Sequence, residues 1–255
     1  MKYIILLFLI ATCFIAQAQQ VRVTYKHQLT YDYTVEYPLY LYIDTKNNSS
    51  IMLQDFKNKK DYDGSIAQTD AVATLDRTID YDFLGFNLNT KEMIMYEDFA
   101  RKVYKINDIF PEMKWQLTQE SKEIQAIQVQ KEMTTYRGVT WEVWFAPSLP
   151  YSFGPWKLIG LPGLVLEAKN AQGNITFQTE KIEYNVTCTN CELPKNIHKT
   201  ISLKEYLIFQ DEFYNIIDID LPRGTTVTFD KLNILSKELE FEFPIKFTWE
   251  EEARK

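Results

Sequence analysis

From Val21 onward the chain alternates. Val21, Val23 and Tyr25, then Leu29, Tyr31 and Tyr33, fall at every second position. A period of two places one set of side chains on a buried face and the other on a wet face, so this stretch predicts a β-strand. The pattern continues through Val35–Ile43 across Pro38, and Asn47-Asn48-Ser49-Ser50 supplies turn chemistry before a returning strand at Ser50–Phe56. Lys57–Thr69 is polar and predicts a surface loop. Four short strands follow at Thr78–Phe86, Lys91–Glu97, Arg101–Ile106 and Met113–Thr118, with turn residues between them. That spacing is the pattern of an antiparallel meander. The chain holds 16 Phe, 16 Tyr and 5 Trp against only 8 Gly. Aromatic and β-branched residues suit half-buried strands, and so little glycine excludes a disordered or collagen-like chain.

Glu123–Tyr136 carries apolar residues out of phase, but Thr134, Thr135 and the Arg137-Gly138 turn favour a strand over a helix. Val139–Ala146 sets Val139, Trp141, Val143 and Phe145 on one face and Trp144 on the other. Pro147–Gly163 then collects prolines and glycines and predicts a long ordered loop, after which Leu164–Ala168, Ile175–Thr179 and Lys181–Thr187 return to strands. Ser202-Leu203-Lys204-Glu205 is a capping box, and the apolar spacing after it predicts a helix over about 203–216. A weaker helix is expected over Phe229–Leu239 and a closing strand over Phe241–Trp249. The fold expected is mainly β: a curved antiparallel sheet or an open β-barrel with a minor C-terminal helical part.

The first 18 residues predict an export signal. Lys2 gives the positive start, Tyr3–Ile15 the apolar run, and Ala16-Gln17-Ala18 a small-x-small cleavage site, so the mature chain is expected to begin at Gln19. The apolar run is shorter than the roughly 20 residues of a spanning helix, and no later segment is long and apolar enough to span a bilayer. The expected organisation is therefore a signal peptide at 1–18 and a single β-rich domain at 19–255, with a small subdomain from about 194 as the alternative. A net charge of −7 without a basic run makes nucleic acid and anionic bilayer surfaces poor partners.

Trp141–Glu167 is the most distinctive stretch. It contains Trp144-Phe145-Ala146-Pro147-Ser148-Leu149-Pro150, then Gly154-Pro155-Trp156-Lys157, then Gly160-Leu161-Pro162-Gly163-Leu164-Val165-Leu166-Glu167. With the upstream Ile124, Lys131 and Arg137-Gly138, these residues resemble the GLPGLI family of exported proteins from Bacteroidota-type bacteria, over about Trp115–Tyr184. Val165 stands where that hexapeptide ends in Ile, and Val129 where family members often carry a Cys. The resemblance implies export, a β-rich fold and a cell-envelope setting, and names no reaction. Leu161-Pro162-Gly163-Leu164 suits a type II turn, with Pro162 fixing φ and Gly163 supplying a positive φ. Trp144, Tyr151, Phe153 and Trp156, set among Gly154, Pro155, Leu161, Pro162 and Gly163, are the candidate binding loop, a rigid aromatic wall lining a cleft. The competing reading is a buried turn that feeds strand 164–168.

Chemical motifs are sparse. His27 and His198 are the only histidines, and neither a His-Glu-x-x-His helix nor a Gly-x-Ser-x-Gly elbow is present. Cys188 and Cys191, the pair left after signal removal, would form a disulfide in an oxidising compartment, or serve a redox or metal site. Asp80/Asp82 and Asp218/Asp220 are acid pairs of the kind that hydrolases use. No cofactor is expected. The function expected is a non-catalytic binding module of the periplasm or outer membrane, taking an envelope protein or an apolar ligand as partner. The alternatives are a thiol or metal protein using Cys188 and Cys191, and a hydrolase with unrecognised carboxylates.

Overall fold

The computed structural model describes residues 20–30, 34–61 and 77–217. The expected signal at 1–18, the helix over 229–239 and the strand over 241–249 lie outside the described residues. The strands, in chain order, are β1 (Gln20–Thr30), β2 (Thr34–Asp44), β3 (Ser49–Asp55), β4 (Lys60–Asp61), β5 (Tyr81–Asn87), β6 (Glu92–Phe99), β7 (Lys102–Asn107), β8 (Gln116–Ile124), β9 (Ile127–Tyr136), β10 (Val139–Ala146), β11 (Leu164–Asn170), β12 (Ile175–Tyr184) and β13 (Lys199–Ser202). One helix, α1 (Leu203–Ile217), follows. All the strands join one open sheet in the order β13-β7-β6-β5-β3-β2-β1-β12-β11-β10-β9-β8, with β4 beside β2. Every pairing is antiparallel except β13 on β7.

β1 sits mid-sheet. It pairs with β2 on one side and with β12, more than 140 residues away, on the other. Its alternation is complete: Val21, Val23, Tyr25, His27 and Leu29 are buried on what we call the inner face, and the residues between them are half-buried. The two runs expected at 175–179 and 181–187 form the single strand β12, and the break between them is a bulge opposite Thr24 and Tyr25. Pro38 falls where β2 exchanges partners: Val35 and Glu36 pair with β4, and Leu39 onward pairs with β3. A residue with no N–H is tolerated at such a gap in the ladder.

Two turn designs recur among the described hairpins. Asp44 and Asn87 each end a strand and accept backbone N–H bonds two and three residues ahead, from Lys46 and Asn47 and from Asn89 and Thr90. Asn48 and Lys91 close these turns at positive φ, and the neighbouring tips bond to each other through Leu88 N to Asn48 O. Three other hairpins have two-residue turns in which both residues have positive φ: Ala100-Arg101, Gln125-Ala126 and Arg137-Gly138. This is the type I′ pattern, whose twist matches that of paired strands.

The inner face carries the main core. Phe99 and Tyr104 receive Tyr206 of α1, with ring centroids 6.2 and 5.7 Å apart. α1 begins with the expected reciprocal cap: Glu205 accepts from Ser202 N at 2.8 Å, and Ser202 Oγ accepts from Glu205 N at 3.2 Å. The outer face has a smaller cluster. Tyr40, Leu53, Phe83 and Tyr96 stand in register across four strands, and the segment holding Cys188, Cys191 and Leu193 covers them. Among the described residues no helix is long and apolar enough to cross a membrane.

Candidate functional site: a buried motif loop and its ionic latch

Between β10 and β11 the chain turns into the sheet. Tyr151, Phe153, Trp156, Lys157, Leu158, Ile159 and Leu161 are all buried, Leu158 completely. The segment therefore fills the inner face as a plug. Backbone bonds tie it to its flanks: Leu164 N donates to Leu149 O at 2.9 Å, Val165 N to Phe153 O at 3.1 Å, and Gly160 N to Ser152 O at 3.0 Å. Tyr25 Oη donates to Val165 O at 2.6 Å, so mid-sheet β1 grips the exit of the plug. Trp156 packs tilted against Trp141 at 5.2 Å and edge-on to Tyr136 at 5.7 Å. Such aromatic pairs add stabilisation beyond the area they bury.

The glycines explain how the plug lies so close to the sheet. A Cβ on Gly163 would sit 2.3 Å from Ala146 O, and one on Gly154 would sit 2.4 Å from Leu158 O. Gly163 does not have the positive φ that a type II turn would need; among the described residues the positive-φ glycines are Gly138, Gly160 and Gly173. The expected reason for Gly163 is thus corrected. Close backbone approach to β10, not left-handed geometry, excludes any side chain there.

The expected aromatic wall is also divided. Tyr151, Phe153 and Trp156 are inside the plug. Trp144 is half-buried on the outer face, where Lys122 lies 4.4 Å and Lys131 5.8 Å from its ring and its Nε1 donates to Glu142 at 3.2 Å. Gly154, Pro155 and Gly163 are buried with the plug, while Pro162 is exposed at its tip.

The plug is locked by charge. Lys157 Nζ, 1 % exposed, donates to Asp108 Oδ2 at 2.8 Å, and Arg137 pairs with the other Asp108 oxygen. Burial alone would raise the Asp108 pKa, but the adjoining Lys157 and Arg137 charges outweigh it and hold the carboxyl below its ordinary range. One carboxylate thereby joins the Arg137-Gly138 turn to Gly154-Pro155-Trp156-Lys157, two parts of the motif that are separate in sequence. Asp108 begins the connection from β7, next to one end of the sheet, to the edge strand β8 at the other end. That connection passes the plug a second time where Trp115 Nε1 donates to Ile159 O at 3.2 Å. Sequence reasoning missed Asp108. The signal for it was Lys157 itself, since a lysine amid an apolar motif needs a carboxylate, but nothing local says which.

Cys188 and Cys191 form the expected disulfide, Cα–Cα 5.6 Å, in a loop and not at a helix start. Asn190 of that loop donates to Tyr81 Oη at 3.3 Å. His27 is fully buried and stacked on Phe177 at 4.8 Å, and burial lowers its pKa to about 3. Among the described residues no three His, Cys, Asp or Glu side chains gather as a metal-ligand set.

Residues 86–167 match a family described as a protein of unknown function (Porph_ging). That match spans β5 to the middle of β11 and so contains Asp108, Arg137, the plug and Gly163. No curated protein matches the chain. Among solved structures, PNGF-II in a P21 crystal form is similar with TM-score 0.50 and 17% identity over 76% of this chain. The chain spans about a third of that protein, 33% of its length. A LolA superfamily protein from Nitrosomonas europaea aligns over 69% of this chain and 89% of its own, at 9% identity and TM-score 0.28. A DUF1329 family protein from Desulfovibrio piger aligns over 71% of this chain and 91% of its own, at 8% identity and TM-score 0.25.

Proposed function

We propose that the protein is an exported, GLPGLI-type envelope protein that serves as a non-catalytic binding module and presents its outer face and sheet edges to another envelope protein. In this reading residues 1–18 are cleaved and 19–255 fold as one domain in the periplasm or on the outer membrane. The observation that carries the reading is the occupation of the inner face by the motif itself. A sheet that held an apolar ligand against that face would need the space that Trp156, Leu158 and Ile159 fill. The motif is then the fixed filling of the module, and the accessible chemistry lies outside it, at Trp144 with its flanking lysines and at the polar edge strand β8.

Site-specific photo-crosslinking in growing cells tests this. A photoreactive residue at Lys169, exposed on β11, or at Trp144 is expected to capture a discrete envelope protein, with the captured chain beginning at Gln19. Failure of both positions to crosslink, or capture only from the plug tip at Pro162, would overturn the assignment.

A further inference from the structure

The disulfide loop does more than cover the outer-face cluster. Together with the β6–β7 turn it borders an open cleft of about 720 Å³, within the size range of small-molecule sites. The cleft is on the opposite side of the sheet from the plug, because its floor residues Val103 and Ile79 belong to the outer-face cluster. Its walls are built. Cys188–Cys191 staples the loop at one end, and His198 N donates to Val103 O at 2.8 Å just before β13 pairs with β7. The facing rim is fixed by Asp98, whose Oδ2 accepts from Thr78 Oγ1 at 2.6 Å and from Ile79 N at 3.0 Å.

The charge of the lining opposes that of the chain. Among the described residues Arg101, Lys102 and Lys195 line the cleft with one lining carboxylate, Glu192, which pairs with Lys195 at 3.3 Å, while the buried Asp98 carboxylate stands behind the rim. The chain as a whole carries −7. Between these cations lie Ile79, Val103, Leu193 and the partly exposed Ile197. Cations around an apolar floor select a ligand with both features.

We propose that this cleft binds a small amphipathic anion, with its apolar part on Val103, Ile79 and Ile197 and its phosphate or carboxylate head between Arg101 and Lys195. The site lies on the outer face that the envelope-partner reading also uses, and its test needs no partner. Calorimetric titration of the intact, oxidised protein with dodecyl phosphate below its micelle concentration tests it. Dodecyl maltoside and inorganic phosphate serve as the neutral-headed and tail-less comparisons. The double variant Arg101→Asn/Lys195→Gln keeps the fold, since Arg101 has φ 60°, a left-handed geometry that Asn tolerates, and Lys195 is exposed. Dodecyl phosphate is expected to bind one to one, about tenfold or more tighter than either comparison, and to lose about tenfold in the double variant. Absence of binding, equal binding of dodecyl maltoside or of phosphate alone, or an unchanged affinity in the double variant would each overturn the proposal.

Discussion

The two faces of this sheet are closed by different means. On the inner face the chain folds its own loop against the strands, with glycines permitting contact at backbone distance and a buried carboxylate tying two cations together. On the outer face a short loop is laid over four aromatic and aliphatic side chains and closed by a disulfide. The inner closure joins residues far apart in sequence and cannot be lost without the core. The covalent link of the outer closure spans only three residues, and the loop covers a surface the sheet already possesses. The inner face is therefore expected to set the stability of the fold, and the outer face to be adjustable at little cost.

Asp108 gives the largest test of that difference. Asp108→Ala leaves Lys157 and Arg137 facing each other in a buried site, and removing one member of a buried ionic group costs about 3–5 kcal/mol. Urea denaturation should show the loss, and Asp108→Leu combined with Lys157→Met and Arg137→Gln should recover much of it. Gly163→Ala comes next. A Cβ 2.3 Å from Ala146 O forces the plug off β10, at about 3 kcal/mol. Gly163→Asn should be no milder, because the constraint is space and not φ; a markedly milder Asn variant would restore the turn explanation.

The disulfide should matter less. By chain-entropy reasoning so short a ring contributes at most about 2 kcal/mol, so Cys188→Ser/Cys191→Ser should keep the fold and lower the denaturation midpoint only slightly. A collapse of the whole sheet in that variant would erase the contrast between the faces. The smallest effect concerns acid. His27 is held neutral by burial, with a folded pKa near 3 against the ordinary 6.5. The unfolded chain takes up a proton below about pH 6.5 that the folded chain refuses, so stability falls as pH drops, by about 1.4 kcal/mol at pH 5.5. His27→Phe should flatten that slope. The Asp108 contribution runs at lower pH: it is present above the ordinary carboxyl pKa near 4 and is lost only as pH falls through the depressed folded value.

Most strands were legible because their alternation is strict, as in β1 and β10, where one face is buried at every second residue. The turn at Arg137-Gly138 was legible from its glycine. Those at Ala100-Arg101 and Gln125-Ala126 were not, since neither pair holds the Gly, Asn or Asp that normally marks positive φ. β8 extends six residues past the expected Thr118 end because it is an exposed polar edge with no hydrophobic signal, and β13 went unseen because four residues with one buried Ile carry no period. The motif was legible as a motif. Its depth was not, because a Trp-, Pro- and Gly-rich stretch reads alike as a surface cleft or as core filling until its partners Asp108 and Trp141 are in place.

The position of β1 fixes an order of assembly. It leads the described chain yet pairs with β12, so during synthesis its second edge has no partner until residues 175–184 have emerged. Until then β1 to β7 can zip only as a half-sheet whose open strand is one of the most apolar in the protein, a state prone to pairing with the wrong chain. Long-range closure of that seam makes folding slow in comparison with a sheet of nearest-neighbour hairpins. The interval between the arrival of β1 and of β12 is thus the window in which a holding chaperone would have most to protect.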